Sequence, residues 1–449
     1  MTEAPKSAGT VQPMGVPHPL RPLRHRAYAM LWTGAFLSNV GTWMETVAVG
    51  ILVTADTGQA GWTGLVAAAG FVPAAFFGPI GGALADRLPR KPLLLGMTFL
   101  QTALAVLLAV LAAFDAAEPG VVVIIVFVAG CFQAISFPTY QTLIPDLVPT
   151  EDLTGAVALG AAQWNLGRVV GPALAGIVIA VGGYEWAFAV NALSFVAVIV
   201  AVAPLHLPPP HHDGVPVFAA IRDGWRYAAK EPGLRAVITY AGFTFFLAGP
   251  FIALVPAMAI EVLDRGSAGT SILVTAQGVG AVIMAFSLGS LTHKFGARPV
   301  MLAMLGSLPA ALVFYAISPN LAVAAVAIFF VGIVYLGAFS SFFAIVQHRA
   351  PAQFRGRVLS VNMVLLGTVY PLGAVIQGAL ADSIGLRVTT AAAGIALALV
   401  VVALHFLRPG FANAVDTPVD GSTSAPANDG FAARLPGEPA PAAGDLKIS

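Results

Sequence analysis

A chain of 449 residues that is 58% hydrophobic and only 10% charged cannot present an ordinary aqueous surface, since soluble globular proteins carry roughly 25% charged residues. A net charge of +1 gives no electrostatic footprint for nucleic acid. The single cysteine, Cys131, excludes an internal disulfide and reads as packing within an apolar run.

Residues 1–26 are polar and proline-containing, without the short apolar core and small-residue cleavage site of a signal peptide; they are expected to remain as a cytoplasmic segment. Apolar stretches of about 20 residues can cross a bilayer as helices. Twelve follow, at roughly 27–54, 62–85, 92–114, 119–143, 155–181, 184–204, 234–261, 269–292, 299–318, 320–346, 357–382 and 385–407. The expected fold is an all-α integral membrane protein, with one six-helix bundle over 27–204 and a second over 234–408. With both termini in the cytoplasm, sixteen lysines and arginines near the span ends fall on that side and only Arg265 and Arg387 on the other, the asymmetry that fixes orientation in a cytoplasmic membrane.

Residues 205–233 form a cytoplasmic linker. Its proline-rich start carries His211 and His212, which have no further metal-ligand residues nearby. Its second part places Phe218, Ile221 and Trp225 on one helical face, the pattern of a short amphipathic helix lying on the membrane surface. Residues 409–449, rich in Ala, Pro, Gly and Asp, read as a disordered cytoplasmic tail.

The two halves repeat. "GALADRLPRKPLLL" (82–95) matches "GSLTHKFGARPVML" (289–302) at an offset of 207, with Gly82 on Gly289, Lys91 on Arg298 and Pro92 on Pro299. Farther along the offset is 202, so Gly171 falls on Gly373, Gly176 on Gly378 and Gly183 on Gly385. A parallel duplication of six helices is an architecture of secondary transporters, with substrate held between the halves.

"GGALADRLPRKPLLL" resembles motif A of the major facilitator superfamily, carried by Gly82, Asp86, Arg87, Arg90 and Lys91. The resemblance implies a twelve-helix major facilitator fold, a monomer by superfamily precedent, and a latch in this loop that stabilises the outward-facing state. Pro89 stands where many members have glycine, and the second copy has His293 in place of the acidic residue. Gly167, Gly171, Pro172 and Gly176 resemble the Gly-Pro motif of the fifth helix in exporter branches. Small residues at such spacing allow close helix contact, and proline bends the helix. With "IPDLVPTEDLTGAVAL", they look most like the enterobactin-exporter and macrolide-efflux branch, over about residues 20 to 408. The fourth span lacks the membrane arginine of many proton-linked drug exporters.

Arg168 lies about 18–20 Å along its helix at about 1.5 Å per residue. A charge at that depth normally faces a wet cavity or a partner. Asn165 stands one turn before it, and Glu45, an acidic residue within the first span, is the candidate partner. Two roles are open: a permanent lock between spans 1 and 5, or a proton-exchanging Glu45 with Arg168 free to meet an anionic substrate.

If the superfamily resemblance holds, the first, fourth, seventh and tenth spans line the cavity. They supply Ser38 and Thr42; Gln133, Ser136, Phe137 and Tyr140; Tyr240 and Thr244; and Tyr335, Phe339, Phe342 and Phe343. An aromatic wall with few charges suits a bulky amphiphilic molecule. The expected function is proton-driven export of such a small molecule, a drug or siderophore, with no cofactor or metal. An importer or an uncoupled facilitator is the alternative, and a membrane sensor a remote one. No His, Cys or paired-carboxylate cluster with catalytic spacing argues for an enzyme.

Overall fold

A computed structural model describes residues 20–205, 207, 217–408 and 410–416, without the side chains of 217–221, 352, 353, 355 and 356. The first part of the amino-terminal segment, the His211–His212 pair, the side chains of Phe218 and Ile221, and the expected tail beyond 416 lie outside the described residues.

Twelve helices are long and apolar enough to cross a membrane. In order they are Arg26–Thr57, Ala60–Arg87, Arg90–Ala113, Pro119–Leu147, Leu153–Gly182 and Tyr184–Val202, then a seventh beginning at Pro232–Phe243, then Gly266–Phe295, Ala297–Ala316, Leu321–Arg349, Ala352–Ile384 and Leu386–Leu407. A helix satisfies its backbone internally, as a lipid-embedded segment must, and span 7 departs from this. The chain is a multi-pass membrane protein built as two six-helix bundles.

The duplication is visible in the backbone. Gly183 and Gly385, equivalent by sequence, close the turns after spans 5 and 11 with φ of +85° and +90°, a conformation glycine adopts without steric cost. On the side bearing Arg26, Arg87 and Arg349, here termed the basic side, Lys91 Nζ donates to the Leu205 carbonyl after span 6 at 3.0 Å. Its counterpart Arg298 pairs with Asp416 after span 12 at 2.8 Å. Each half thus ties the start of its third helix to the chain leaving its sixth. The turns before those helices differ. Gly296 takes φ +88°, whereas Pro89, fixed near −60°, sits at −56°.

Helices within a half approach through small residues, the usual device where apolar burial gives no advantage over lipid. In the first half, a Cβ at Gly34 or Gly41 of span 1 would strike Ala201 or Ser194 of span 6. In the second, Gly280 of span 8 and Gly332 of span 10 each abut the other helix's backbone.

Span 7 is interrupted. A π-helical turn over Thr244–Ala248 is followed by a tighter turn over Gly249–Ile252, and such departures leave carbonyls without their regular partners. Gln377 of span 11 meets that need: its amide donates to the carbonyls of Phe246 and Leu247 at 2.9 and 3.0 Å.

The linker helix, Val217–Lys230, is two-faced. Tyr227 stacks on Phe354 of span 11 at 4.7 Å, Asp223 meets Arg357 at 3.4 Å, and Ala228 is buried. Trp225 points away, 52% exposed.

Candidate functional site

The halves meet through spans 2 and 11 and through spans 5 and 8. On the side away from the basic side, the Gly61 N–H donates to Asp382 at 3.0 Å, while Gly64 abuts the Ala374 carbonyl and Gly378 abuts Ala60. Gly50 of span 1 packs on Pro256, and Gly176 of span 5 on Ser271 of span 8. Midway, Ala75 meets Gly367, and Gly278 meets the Arg168 backbone. Farther toward the basic side the same face of span 2 carries Gly78 and Gly82, and neither has a neighbour within 4 Å of a would-be Cβ. The halves are therefore in close backbone contact on one side and midway, and span 2 loses such contacts toward the basic side.

The Gly-Pro motif places that arginine. Gly167 and Gly171 pack span 5 against Asn39, Val40 and Trp43 of span 1, which sets the Arg168 guanidinium over the Trp43 ring, 5.5 Å from its centre. Gly176 serves span 8 instead. From the other half, Tyr335 of span 10 and Tyr370 of span 11 lie within electrostatic reach of the guanidinium. Trp43 meets Trp164 edge-on at 5.7 Å, Trp164 meets Phe137 at 6.1 Å, and Phe71 meets Tyr370 at 5.0 Å. Phe137 and Trp164 are 46% and 39% exposed. These rings form an aromatic wall around one cation.

The expected Glu45–Arg168 pair is absent. Glu45 faces span 6, where Asn191 donates to it at 2.5 Å; it lies on the same stripe of span 1 as Gly34 and Gly41, inside the first half. Asn165 spends its amide on the Ala161 carbonyl of its own helix at 2.8 Å and does not reach Arg168.

The cavity residues divide. Tyr335, Phe339 and Phe343 make a continuous ladder, with ring centres 6.4 and 4.9 Å apart, and Phe339 and Phe343 are half-buried. Ser38, Thr42 and Gln133 are half-buried as well. Tyr240 is instead a core residue against Phe411, because its helix turns that face into its own bundle. Phe342 is likewise buried in the second half, and Thr244 is fully buried. Tyr140 donates to Gln163 at 3.2 Å, and Ser136 accepts from Gln101 of span 3 at 2.9 Å; both hold the first bundle together. Trp43, Trp164, Tyr370 and Asn191 were not among the expected site residues. A tryptophan or an asparagine in an otherwise aliphatic span was the available signal.

In the motif A loop, Arg90 pairs with Asp146 of span 4 at 2.6 Å, and Gly81, not Gly82, makes the close contact with span 4. Asp86 and Arg87 are exposed, and no hydrogen bond or ion pair joins Asp86 to another described residue.

Two pseudo-symmetric six-helix bundles of this kind define a secondary transporter of the major facilitator class. The chain belongs to the transmembrane secretion effector family, whose sequence profile matches residues 17–427. It is 25% identical to macrolide efflux protein A of Streptococcus pyogenes, across 80% of this chain and 90% of that protein. It is 27% identical to the enterobactin exporter EntS of Escherichia coli, across 86% and 94%. The fold is similar to the crystal structure of a bacterial homologue of the human lysosomal transporter Spinster, with a TM-score of 0.71 at 15% identity over 88% and 98% of the two chains.

Proposed function

We propose that this protein exports an amphiphilic small molecule by alternating access, driven by the proton gradient, as a monomer in a bacterial-type cytoplasmic membrane with both ends in the cytoplasm. The observation that carries this reading is the set of partly exposed rings of Phe71, Phe137 and Trp164 near Arg168, with the halves in glycine contact on one side and Gly78 and Gly82 free of neighbours toward the other. The basic side is the cytoplasmic one by the distribution of lysine and arginine, so the cavity faces the cytoplasm, where an exporter loads. The family, with drug and siderophore exporters among the relatives, supports outward transport.

Glu45 is the proton-exchanging group in this reading, since intramembrane carboxylates serve proton relays and it is the acidic residue held within a span by a neutral amide. The test uses inside-out vesicles with an imposed pH gradient and a panel of lipophilic dyes, macrolides and siderophores, comparing wild type with Glu45→Gln. Gradient-dependent uptake that Glu45→Gln abolishes, with binding retained, is the expected result. Uptake without a gradient would make the protein a facilitator, and gradient-driven uptake surviving in the variant would move coupling to another group.

A further inference from the structure

We infer that Arg168 is the anchor for an anionic group of the transported molecule, so that the substrate is an organic anion, a carboxylate or phenolate carried on an apolar or aromatic body. This rests on the transport reading and narrows it to a substrate class.

The argument begins with charge. A guanidinium is always protonated, and a charge near the middle of a span is tolerated when it is paired or wet. Arg168 makes no ion pair with a described carboxylate, and those held in ion pairs or hydrogen bonds are committed elsewhere. Glu45 is bound to Asn191, Asp382 to the start of span 2, Asp146 to Arg90 and Glu231 to Arg349. The cation is retained without a resident counter-ion, in a cavity wall.

Hydrogen bonding leads to the same place. The ring beneath the guanidinium belongs to Trp43, whose indole N–H is buried and has no acceptor. Buried donors are almost always satisfied, and leaving one unpaired costs free energy. Two neighbouring donors, one of them charged, lack the same thing: an acceptor. An anion seated between them supplies it, and charge-assisted bonds to a guanidinium are among the stronger kind.

The surroundings give the rest of the molecule. Trp164 and Phe137 continue the aromatic surface away from Trp43 toward the open side, a platform for an apolar body. Tyr335 and Tyr370 of the second half lie within electrostatic reach of the guanidinium, so in this inference an anion at Arg168 is sensed from both bundles. A ligand shifts a conformational equilibrium only through its differential affinity for the two states. A site assembled from both halves provides that difference, because separating Arg168 from the two phenols dismantles it. Lipophilic cations meet a charge of their own sign and are disfavoured.

The test pairs naphthyl and coumarin carboxylic acids with their methyl esters, identical in body and different in charge. Equilibrium binding to the purified full-length protein and uptake into inside-out vesicles are both measured, for wild type, Arg168→Gln and Arg168→Lys, with thermal melting to establish that each variant is folded. Wild type should bind acids about ten-fold or more tighter than their esters, as one partly buried ion pair provides. Arg168→Gln should reduce that ratio to near one while keeping affinity for the esters, and Arg168→Lys should retain part of it. Equal binding of acid and ester by wild type, absence of acid binding, or a preference unchanged in Arg168→Gln would overturn the inference. The transport reading fails separately: acids preferred in binding but not moved would remove transport and leave the anion site, whereas esters moved as well as acids would do the reverse.

Discussion

Asn191 of span 6 donates a hydrogen bond to the Glu45 carboxylate of span 1, and that contact takes Glu45 out of reach of Arg168. Replacing Asn191 with leucine leaves the carboxylate without its donor. Loss of such a bond costs about 1–3 kcal/mol, so Asn191→Leu should lower the melting temperature of the purified protein, while Glu45→Gln, which keeps an acceptor for the amide, should lower it less.

Glu45 and Arg168 should behave as independent sites. In a double-mutant cycle of Glu45→Ala and Arg168→Ala, the stability changes should add to within about 0.3–0.5 kcal/mol. A larger coupling, read from melting or denaturant curves, would mean that the two side chains meet in another state of the transport cycle.

Asp86 and Arg90 share a loop but not a role. Asp86 is exposed, so Asp86→Asn should change stability by no more than about 0.5 kcal/mol and yet impair turnover in vesicles, as the motif A resemblance implies. Arg90 is bound to Asp146 and to the carbonyls of Ala85 and Thr142. Arg90→Ala should therefore destabilise the protein measurably, by about 1–3 kcal/mol.

Acid should weaken the second half through Glu231. This residue caps span 7, accepting from the Gly233 and Leu234 N–H groups and from Arg349. Burial works against its ionisation, but the Arg349 guanidinium and the two backbone donors together outweigh burial and hold the carboxyl below its usual range. A carboxyl depressed on folding contributes fully above its unfolded value of about 4.3, and the contribution is lost as pH falls through the lower folded value. Melting of wild type should fall below about pH 4, and Glu231→Gln should be less stable at neutral pH with a flatter acid limb.

The closed seam can be wedged. A side chain at Gly64 would meet the Ala374 carbonyl, so Gly64→Leu should favour the state in which that side is apart. The exposed stripe of span 5, with Val157 57% exposed, reports the change. After Cys131→Ser, a Val157→Cys thiol should react several-fold more slowly with an impermeant maleimide from the basic side in the Gly64→Leu background; equal rates would show that the seam does not control access.

Span positions, the duplication and the small-residue contacts were legible because length, charge and glycine spacing mark them directly. Partner choice was not. Lipid and protein interior are equally apolar, so a span that turns one face to each shows little of the polar–apolar periodicity that tells a soluble helix's buried face. That is why Glu45 was matched by depth with Arg168 when its helix turns it toward Asn191, and why Tyr240, polar at one atom only, was expected in the cavity when it packs against Phe411. Tyr370 was visible as the position equivalent to Arg168, but only three dimensions bring the two equivalents to one place.

The closed side of the interface is built from glycine against backbone at Gly64 with Ala374 and at Gly378 with Ala60, and from the Gly61 hydrogen bond to Asp382. Contacts of this kind bury little apolar side chain, and apolar burial contributes only about 25 cal/mol per Å² even against water. Undoing these backbone approaches costs little apolar burial, so the closure rests more on the Gly61–Asp382 hydrogen bond and on the apolar side chains packed beside it. A seam with so few side chains in it leaves the balance between orientations open to whatever binds between the halves.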